Sequence, residues 1–582
     1  MLGQNEQLQG YQDRFRYLYV AVAVALSLLF LRLWYLQLFK GAEFKQFAEE
    51  NRLKKIKVDA PRGMVFDRNR KLLLDNQPTF TVSITPQYFQ AATKEERALA
   101  LAKLGKIVRI APSAIEDLLY KARRQPKFQP VVVKKNLSMD EVALIEMDRL
   151  MLPGIEVAVG IRRTNVHGVV GAQMLGYIAE IDADELPKIN AKELENPYVQ
   201  GDPLGKMGLE QQWEKTLRGE NGIEYIEVDA YGRKKVPVGR KRGEVVQAIP
   251  PKPFVPGKNL VLTVDEDLQL AAAEAFGEEK TGALVALDPG NGEVLAMLSW
   301  PSFDSTEFSV GVSPEYWKQL ATDDRKPLRD KTIYDHYSPG STFKMLLALT
   351  ALEKGIVDTE WSVTCAGAYR FGNKVFKCEH VHGRVALVEA IHRSCNVYFY
   401  QLMLKVGLDE WSAMGRRFGF GRTTKVDITE ENAGLMPDRD YYDRVHGKGK
   451  GTQGYLISLG IGQGEVGVTP LQMANYAAML ANKGRHFQPH VVNAVYDRRT
   501  KRARPVAVPE ETVTLSDRAW DPVREGMRRV VMEPGGTGWA SRIPGIVSAG
   551  KTGTAQNPHG KSHAWFIGFA PYDDPKIAVC VL

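Results

Sequence analysis

Three short motifs carry residue types that do chemistry together: Ser341-Thr-Phe-Lys344, Ser394-Cys-Asn396 and Lys551-Thr-Gly553. The first puts a hydroxyl and an amine one helical turn apart, so both side chains share a face. A lysine that sheds its proton in a desolvated cleft can accept the serine's proton and make it a nucleophile. The second motif adds another hydroxyl and an amide. The third adds a cation with Thr552, Gly553 and Thr554 beside it. Nucleophile, base, proton relay and a cationic seat for a carboxylate are the parts of acyl transfer through a serine ester. Singly, each motif is commonplace: a cap with a solvated lysine, a polar turn between helices, an edge-strand turn. Their occurrence in this order in one chain is what points to catalysis.

The elements around them must do the positioning. Pro339-Gly340 precedes Ser341, and the apolar run from Met345 to Leu352 closes at Gly355, which predicts a helix beginning at the serine. Free N–H groups at that end favour developing negative charge. Residues 387–392 read as helix, so Ser394-Cys-Asn396 falls in a turn. From residue 546 onward the pattern is strand, with Gly553 leaving room for a ligand backbone to come close. The stretch from 341 to about 480 is expected to be mainly helical. Strands are expected over 259–265, 282–287 and 293–298, the last two joined by the turn at Asp288-Pro-Gly-Asn-Gly292, with a helix over 268–276. Upstream, helices are expected over 41–55, 94–124 and 139–149, the last with a Ser138–Glu141 capping box. Strands and turns are expected over 60–69, 80–84 and 225–228, with a turn at Tyr231-Gly232. The segment 577–582 reads as a strand that stops abruptly, as a truncated one would.

Residues 17–39 are apolar enough to cross a bilayer, which needs ~20 residues, if Arg32 snorkels. No small-residue cleavage site follows, so the segment reads as an uncleaved single-span anchor rather than a signal peptide. Arg14 and Arg16 before it are balanced by Lys40 and Lys45 after it, so flanking charge orients the span poorly. The short head and large remainder favour the N-terminus inside and the bulk outside the cytoplasmic membrane, on its periplasmic or outer side. A Pro-rich joint at 250–256 suggests the main division: head 1–16, span 17–39, non-catalytic domain 40–250, catalytic domain 257–582. The composition of the 582 residues is that of a globular protein. The net charge of +8 suits an anionic membrane surface or wall polymer. There is no dense Lys/Arg stripe interleaved with aromatics, so no nucleic-acid partner is expected.

Cys365, Cys378, His382 and Cys395 have metal-ligand character, and three thiolates with one imidazole would make a closed structural Zn2+ site. His380 competes with His382 as the imidazole. A Cys365–Cys378 disulfide with Cys395 as a buried thiol, or unlinked thiols, are the alternatives. Cys580 reads as a small core residue.

Taken with Tyr337-Ser-Pro-Gly340, Gly460-Ile-Gly-Gln-Gly464, Thr469-Pro-Leu-Gln-Met473, Pro61-Arg-Gly-Met-Val-Phe-Asp-Arg68 and the 205–210 segment, the motifs make the chain resemble a class B penicillin-binding protein over nearly its whole length. The elongation type is the nearer subclass, with the division type as the alternative. The resemblance implies an α+β multidomain fold: a transmembrane helix, an elongated mixed α/β pedestal and a penicilloyl-serine transferase domain with a central antiparallel sheet flanked by helices. It implies D,D-transpeptidation of peptidoglycan stem peptides, inhibition by β-lactams and no cofactor for catalysis. By the same resemblance Ser341 attacks, Lys344 takes its proton, Ser394 relays a proton to the leaving D-alanine and Asn396 holds the substrate amide. Lys551 makes the site electropositive, and Thr552 and Thr554 bind the terminal carboxylate. The base is disputed in related enzymes. Elongation-type relatives carry a metal site that His382 and Cys395 match, whereas Cys365 and Cys378 replace carboxylates. Implied partners are a SEDS-family glycan polymerase and elongation scaffold proteins, met through the span and pedestal. A β-lactamase or a β-lactam sensor would share the motifs, but the long N-terminal half argues against the first. The short head, with no room for a signalling module, argues against the second.

Overall fold

The structure, a computed structural model, describes residues 3–40, 53–124, 127, 129–192, 196–227, 251–278, 280–448, 453–557 and 560–582. Contacts divide the chain into two compact units, Met1–Ala60 with Glu220–Val255, and Pro61–Gly219 with Pro256–Leu582.

In the first unit the apolar stretch Leu18–Phe39 is helical over 22 residues and none of it is buried. At 1.5 Å per residue that length covers a ~30 Å hydrocarbon core. Of the helix expected over 41–55, only residues 53–55 can be compared, and they are strand. Residues 41–52 lie outside the described residues, and Leu53–Val58 is a strand paired antiparallel with Gly222–Glu227. Ile56 and Val58 flank Lys57 in a period-two pattern, and a distant partner strand completes the ladder that local reading could not supply. Val228 and the turn expected at Tyr231-Gly232 lie outside the described residues.

Among the described residues the second unit holds two large sheets and four two-stranded ones. One large sheet runs Arg502–Pro505, Val492–Asp497, Asn259–Leu262, Val65–Phe66, Leu72–Ile84 and Val131–Lys134, with Ile155–Asn165 also paired to Leu72–Ile84. That last pairing extends unbroken from Leu74↔Asn165 to Ile84↔Ile155. Val82, Ile84 and Ile155 form its core with Leu101, Leu104, Ile115 and Ile145 from helices Lys94–Val108, Pro112–Lys121 and Met139–Met147. The single helix expected over 94–124 is therefore broken. Arg109 turns left-handed (φ 58°) and Pro112 opens the next helix, since proline cannot continue the previous one. The Ser138–Glu141 capping box is present.

The second sheet is antiparallel, in the order Val294–Trp300, Gly282–Leu287, Ile577–Val581, His563–Ala570, Ala549–Ala555. The C-terminal strand is thus central, paired on both sides. Helices Pro470–Ala481 and Asp517–Met532 pack on the sheet, and every residue from Lys344 to Leu352 in helix Lys344–Glu353 is buried. The stretch after Ser341 is less helical than expected. Ser362–Cys365 pairs with Gly383–Ala386, and Ala368–Phe371 pairs with Lys374–Lys377. These four-residue strands are too short to show a period; Cys365 ends one of them, and Cys378 and His382 directly flank two others.

Candidate active site and cysteine cluster

Ser341 lies in the 3-10 turn Gly340–Phe343 that leads directly into helix Lys344–Glu353. Gly340 has φ +59°, and a Cβ there would sit 2.9 Å from the Thr554 carbonyl. The glycine therefore lets the serine turn meet the strand Ala549–Ala555. Gly553 works from the other side: a Cβ on it would reach the Thr342 methyl at 3.0 Å and the Pro339 carbonyl at 3.1 Å. Gly553 thus gives room to the Thr342 side chain and the Pro339 backbone of the serine turn.

Five of the expected residues, Lys344, Ser394, Asn396, Lys551 and Thr552, join in one hydrogen-bonded set. Lys344 Nζ donates to the Ser394 carbonyl (2.8 Å) and to Asn396 Oδ1 (2.7 Å), and lies 3.2 Å from Ser394 Oγ. Lys551 Nζ lies 2.9 Å from that same Oγ and donates to the Thr552 carbonyl at 2.8 Å. Ser394 is bent to do this: it holds φ +57° in the turn between helices Leu387–His392 and Asn396–Arg417. A non-glycine residue in that region is uncommon and clusters at functional sites. Here it aims both carbonyl and hydroxyl at the lysines.

Both amines are fully buried, and among the described residues neither meets a carboxylate. Burial pushes Lys344 down to about 8, against the opposing pull of Cys378, Cys395 and Glu379. Burial, and then repulsion by Lys344, hold Lys551 well below the ordinary lysine value. Two full positive charges on one hydroxyl are unfavourable, so the pair favours holding fewer than two.

Some contacts were not anticipated. Thr552 Oγ1 and Thr537 Oγ1 are 2.6 Å apart, Gln463 Nε2 donates to the Thr554 carbonyl at 3.3 Å, and the Gly462 carbonyl accepts from Gly340 N at 2.8 Å. The Gly-rich runs around Thr537 and Gln463 were the visible signal. Asn396 Nδ2 donates to the Lys377 carbonyl (3.4 Å), which also accepts from Tyr400 Oη at 3.0 Å. Nothing local marks that carbonyl.

The structure brings Cys365, Cys378, His382 and Cys395 together, with one ligand atom of each lying within 4.8 Å of the others. His382 Nδ1 is 3.5 Å from the sulfurs of both Cys365 and Cys378. His380 supplies only its carbonyl, 3.5 Å from Cys365 Sγ. All four cysteines of the chain are free. Cys378 Sγ accepts the Asn396 backbone N–H at 3.2 Å, so the cluster touches the second motif directly. The hydrogen bond from Cys395, ahead of the burial that opposes it, pulls the Cys378 thiol far down, while the same contact and burial push Cys395 up. Cys580 is a buried core residue of the catalytic sheet.

Residues 282–582 match the family described as penicillin binding protein transpeptidase domain, and residues 57–262 match the penicillin-binding protein dimerisation domain. A peptidoglycan D,D-transpeptidase MrdA of Acinetobacter baumannii is 32% identical over 567 residues, covering 94% of this chain and 81% of that one. A penicillin-binding protein (PBP2) of Helicobacter pylori, solved as a complex with MreC, superposes with a TM-score of 0.75 at 26% identity. That match covers 91% of this chain and 94% of that one. A structure described as structural coordination of polymerization and crosslinking by a peptidoglycan synthase complex superposes with a TM-score of 0.68 at 28% identity, covering 98% and 94%.

Proposed function

The chain belongs to the class B penicillin-binding proteins, and from that premise we propose that it is a peptidoglycan D,D-transpeptidase of the elongation type, serving cell-wall elongation and cell shape. The observation that supports the site most is Ser394 Oγ, held between Lys344 Nζ (3.2 Å) and Lys551 Nζ (2.9 Å) beside the Ser341 turn. Ser341 Oγ attacks the carbonyl between the two D-alanines of a donor stem peptide, and its proton passes to Lys344. The N–H groups of Ser341 and Thr554 steady the oxyanion. Ser394 relays a proton to the departing D-alanine nitrogen as the peptide bond breaks, giving its own and regaining one from Lys344, 3.2 Å away. Asn396 holds the substrate amide, and Lys551 with Thr552 and Thr554 seats the terminal carboxylate. An amine from a neighbouring stem then attacks the ester, and Ser341 recovers its proton.

The lysine pair suits this sequence. A carboxylate arriving at Lys551 favours the charged form there, which leaves Lys344 neutral as the base. A β-lactam is attacked in the same way, but its leaving nitrogen stays tethered, so the acyl-serine persists. Ser341→Ala is expected to abolish labelling by a fluorescent penicillin; undiminished labelling of a folded variant would overturn the reading.

The Cys365–Cys378–His382–Cys395 cluster reads as a structural Zn2+ site. Ligands at ~2.3 Å (S) and ~2.05 Å (N) in a tetrahedron place sulfur and nitrogen about 3.5 Å apart, the separation His382 Nδ1 keeps from two sulfurs. With all four positions filled by protein, such an ion would hold the ribbons in place and leave none open for substrate. Metal analysis with a thiol count tests this; a zinc-free, fully active protein would refute it. The exposed apolar helix Leu18–Phe39 anchors the chain in the cytoplasmic membrane, and its substrate requires the catalytic residues to lie on the outer face. We assign the span and pedestal to contacts with a SEDS-family glycan polymerase and an elongation scaffold protein; the complex of the Helicobacter relative with MreC supports the second of these. Crosslinking in spheroplasts, with protease shaving for orientation, tests both.

A further inference from the structure

Cys378 and Cys395 stand out when the cluster is considered without its ion. Cys395 and Cys365 are fully buried, whereas Cys378 is partly exposed. An oxidant from solvent therefore reaches Cys378 first. Its sulfur touches the second motif at the backbone N–H of Asn396 (3.2 Å), and the carbonyl of its neighbour Lys377 accepts from the Asn396 amide (3.4 Å). The opposite end of that amide, Oδ1, takes the hydrogen bond of Lys344 at 2.7 Å. Cys395 sits between Ser394 and Asn396, in a turn already committed to φ +57° at Ser394. Any covalent demand on Cys378 and Cys395 is thus made on the residues that hold the two lysines.

We propose that Cys378 and Cys395 form an oxidative modification site: in the metal-free protein they close to a disulfide that switches off acylation, and metal occupancy prevents it. The inference rests on the functional reading above, since it needs Asn396 and Ser394 in the site. A disulfide oxidant exchanges with Cys378 to give a mixed disulfide and one released thiol, which carries off the Cys378 proton. The Cys395 sulfur then attacks the Cys378 sulfur, forming the internal S–S bond and expelling the second thiol. Two protons leave the protein, and its two electrons reduce the oxidant to two thiols. The product requires sulfurs now within 4.8 Å of each other to close to about 2.05 Å with a near-perpendicular dihedral. That movement takes the Cys378 sulfur from the Asn396 N–H and drags on the turn, so the amide and the Ser394 carbonyl leave Lys344. Bound to a metal, both thiolates are already occupied and are kept from exchange.

The test uses the full chain in detergent, chelated or loaded with Zn2+, with and without oxidised glutathione. Cys-containing peptides are mapped by mass spectrometry, and acylation of Ser341 by a fluorescent penicillin is timed on the same samples. The chelated, oxidised protein is expected to carry a Cys378–Cys395 linkage and to acylate at least tenfold more slowly, with recovery on adding dithiothreitol. The zinc-loaded protein should show neither change. A linkage to Cys365 instead, no linkage at all, or an unchanged acylation rate in the linked protein would overturn the proposal. If the untreated protein were not acylated at Ser341, the functional reading itself would have failed, independently of the thiol map.

Discussion

Two regions of this molecule bury charge, and they treat it in opposite ways. Arg62, Arg163, Glu210 and Glu214 are all buried. Arg62 forks onto Glu214 at 3.1 and 2.8 Å, and Arg163 Nε meets Glu210 Oε1 at 2.6 Å. Gly205 N and Tyr198 Oη complete Glu214 at 2.8 and 2.9 Å. Two cations and two anions cancel, and each carboxylate oxygen accepts at least one hydrogen bond. Burial alone would raise Glu210, yet Arg163 and Arg62 together bring it below the ordinary carboxylate value. Lys344 and Lys551 are buried as deeply, and the hydrogen bonds they make go only to a hydroxyl, an amide and carbonyls, with Lys344 also over the Phe399 ring. Leaving an ion unpaired out of water costs several kcal/mol. A fold retains such a defect where the missing counter-charge arrives with the substrate. The paired cluster holds the fold; the unpaired lysines are set for chemistry.

The sharpest way to break that contrast is to replace one member of each group. Lys344→Met keeps the volume and removes the buried amine. Its penicillin acylation rate is expected to fall by about 10²–10⁴, while the melting temperature holds or rises. A variant that lost stability in proportion to activity would show the lysine to be structural after all.

Glu210→Ala should behave in reverse. It takes the ion-pair partner from Arg163 and one of the four hydrogen bonds from Arg62, and a loss of about 3–5 kcal/mol is expected, read from denaturant unfolding. Protein still folded should acylate at close to the native rate.

The two regions also part company with pH. With Lys344 at about 8, acylation should climb roughly tenfold per unit below that value and level off above it, since the neutral amine is the active form. Glu210 acts at the other end. Its folded value lies below the unfolded 4.5, so its stabilisation is complete above 4.5 and is lost as pH falls through the folded value. Melting temperatures across pH 3–6, with Glu210→Ala as reference, check the second limb.

The smallest expected effect sharpens how Asn396 is held. Tyr400→Phe removes the hydroxyl that donates to the Lys377 carbonyl at 3.0 Å, a bond worth about 1 kcal/mol. A few-fold slower acylation with unchanged melting is expected. No change at all would free Asn396 from the ribbon's influence.

The three motifs were legible because each packs its reactive side chains into three or four consecutive residues. The turn between helices at Ser394, the capping box at Ser138 and the edge strand at Lys551 follow from the same local rules. What those rules miss is non-local. Arg62 meets partners in the 210–214 helices, and nothing near it announces the pairing. The strand Leu53–Val58 takes its form from Gly222–Glu227, while local composition alone suggests helix. The left-handed Ser394 arises from contacts with both lysines, and no dihedral can be read from a serine. The break at Arg109–Pro112 was visible in the proline, but the amphipathic run on either side outweighed it.

The most direct test of the central claim is to trap the acyl-enzyme with a penicillin and locate the adduct by peptide mass spectrometry. A single adduct on Ser341, forming with a rate that rises through pH ~8 as a depressed Lys344 requires, is the expected result. An adduct on any other residue, or one on Ser341 whose rate ignores pH across that range, would contradict the account.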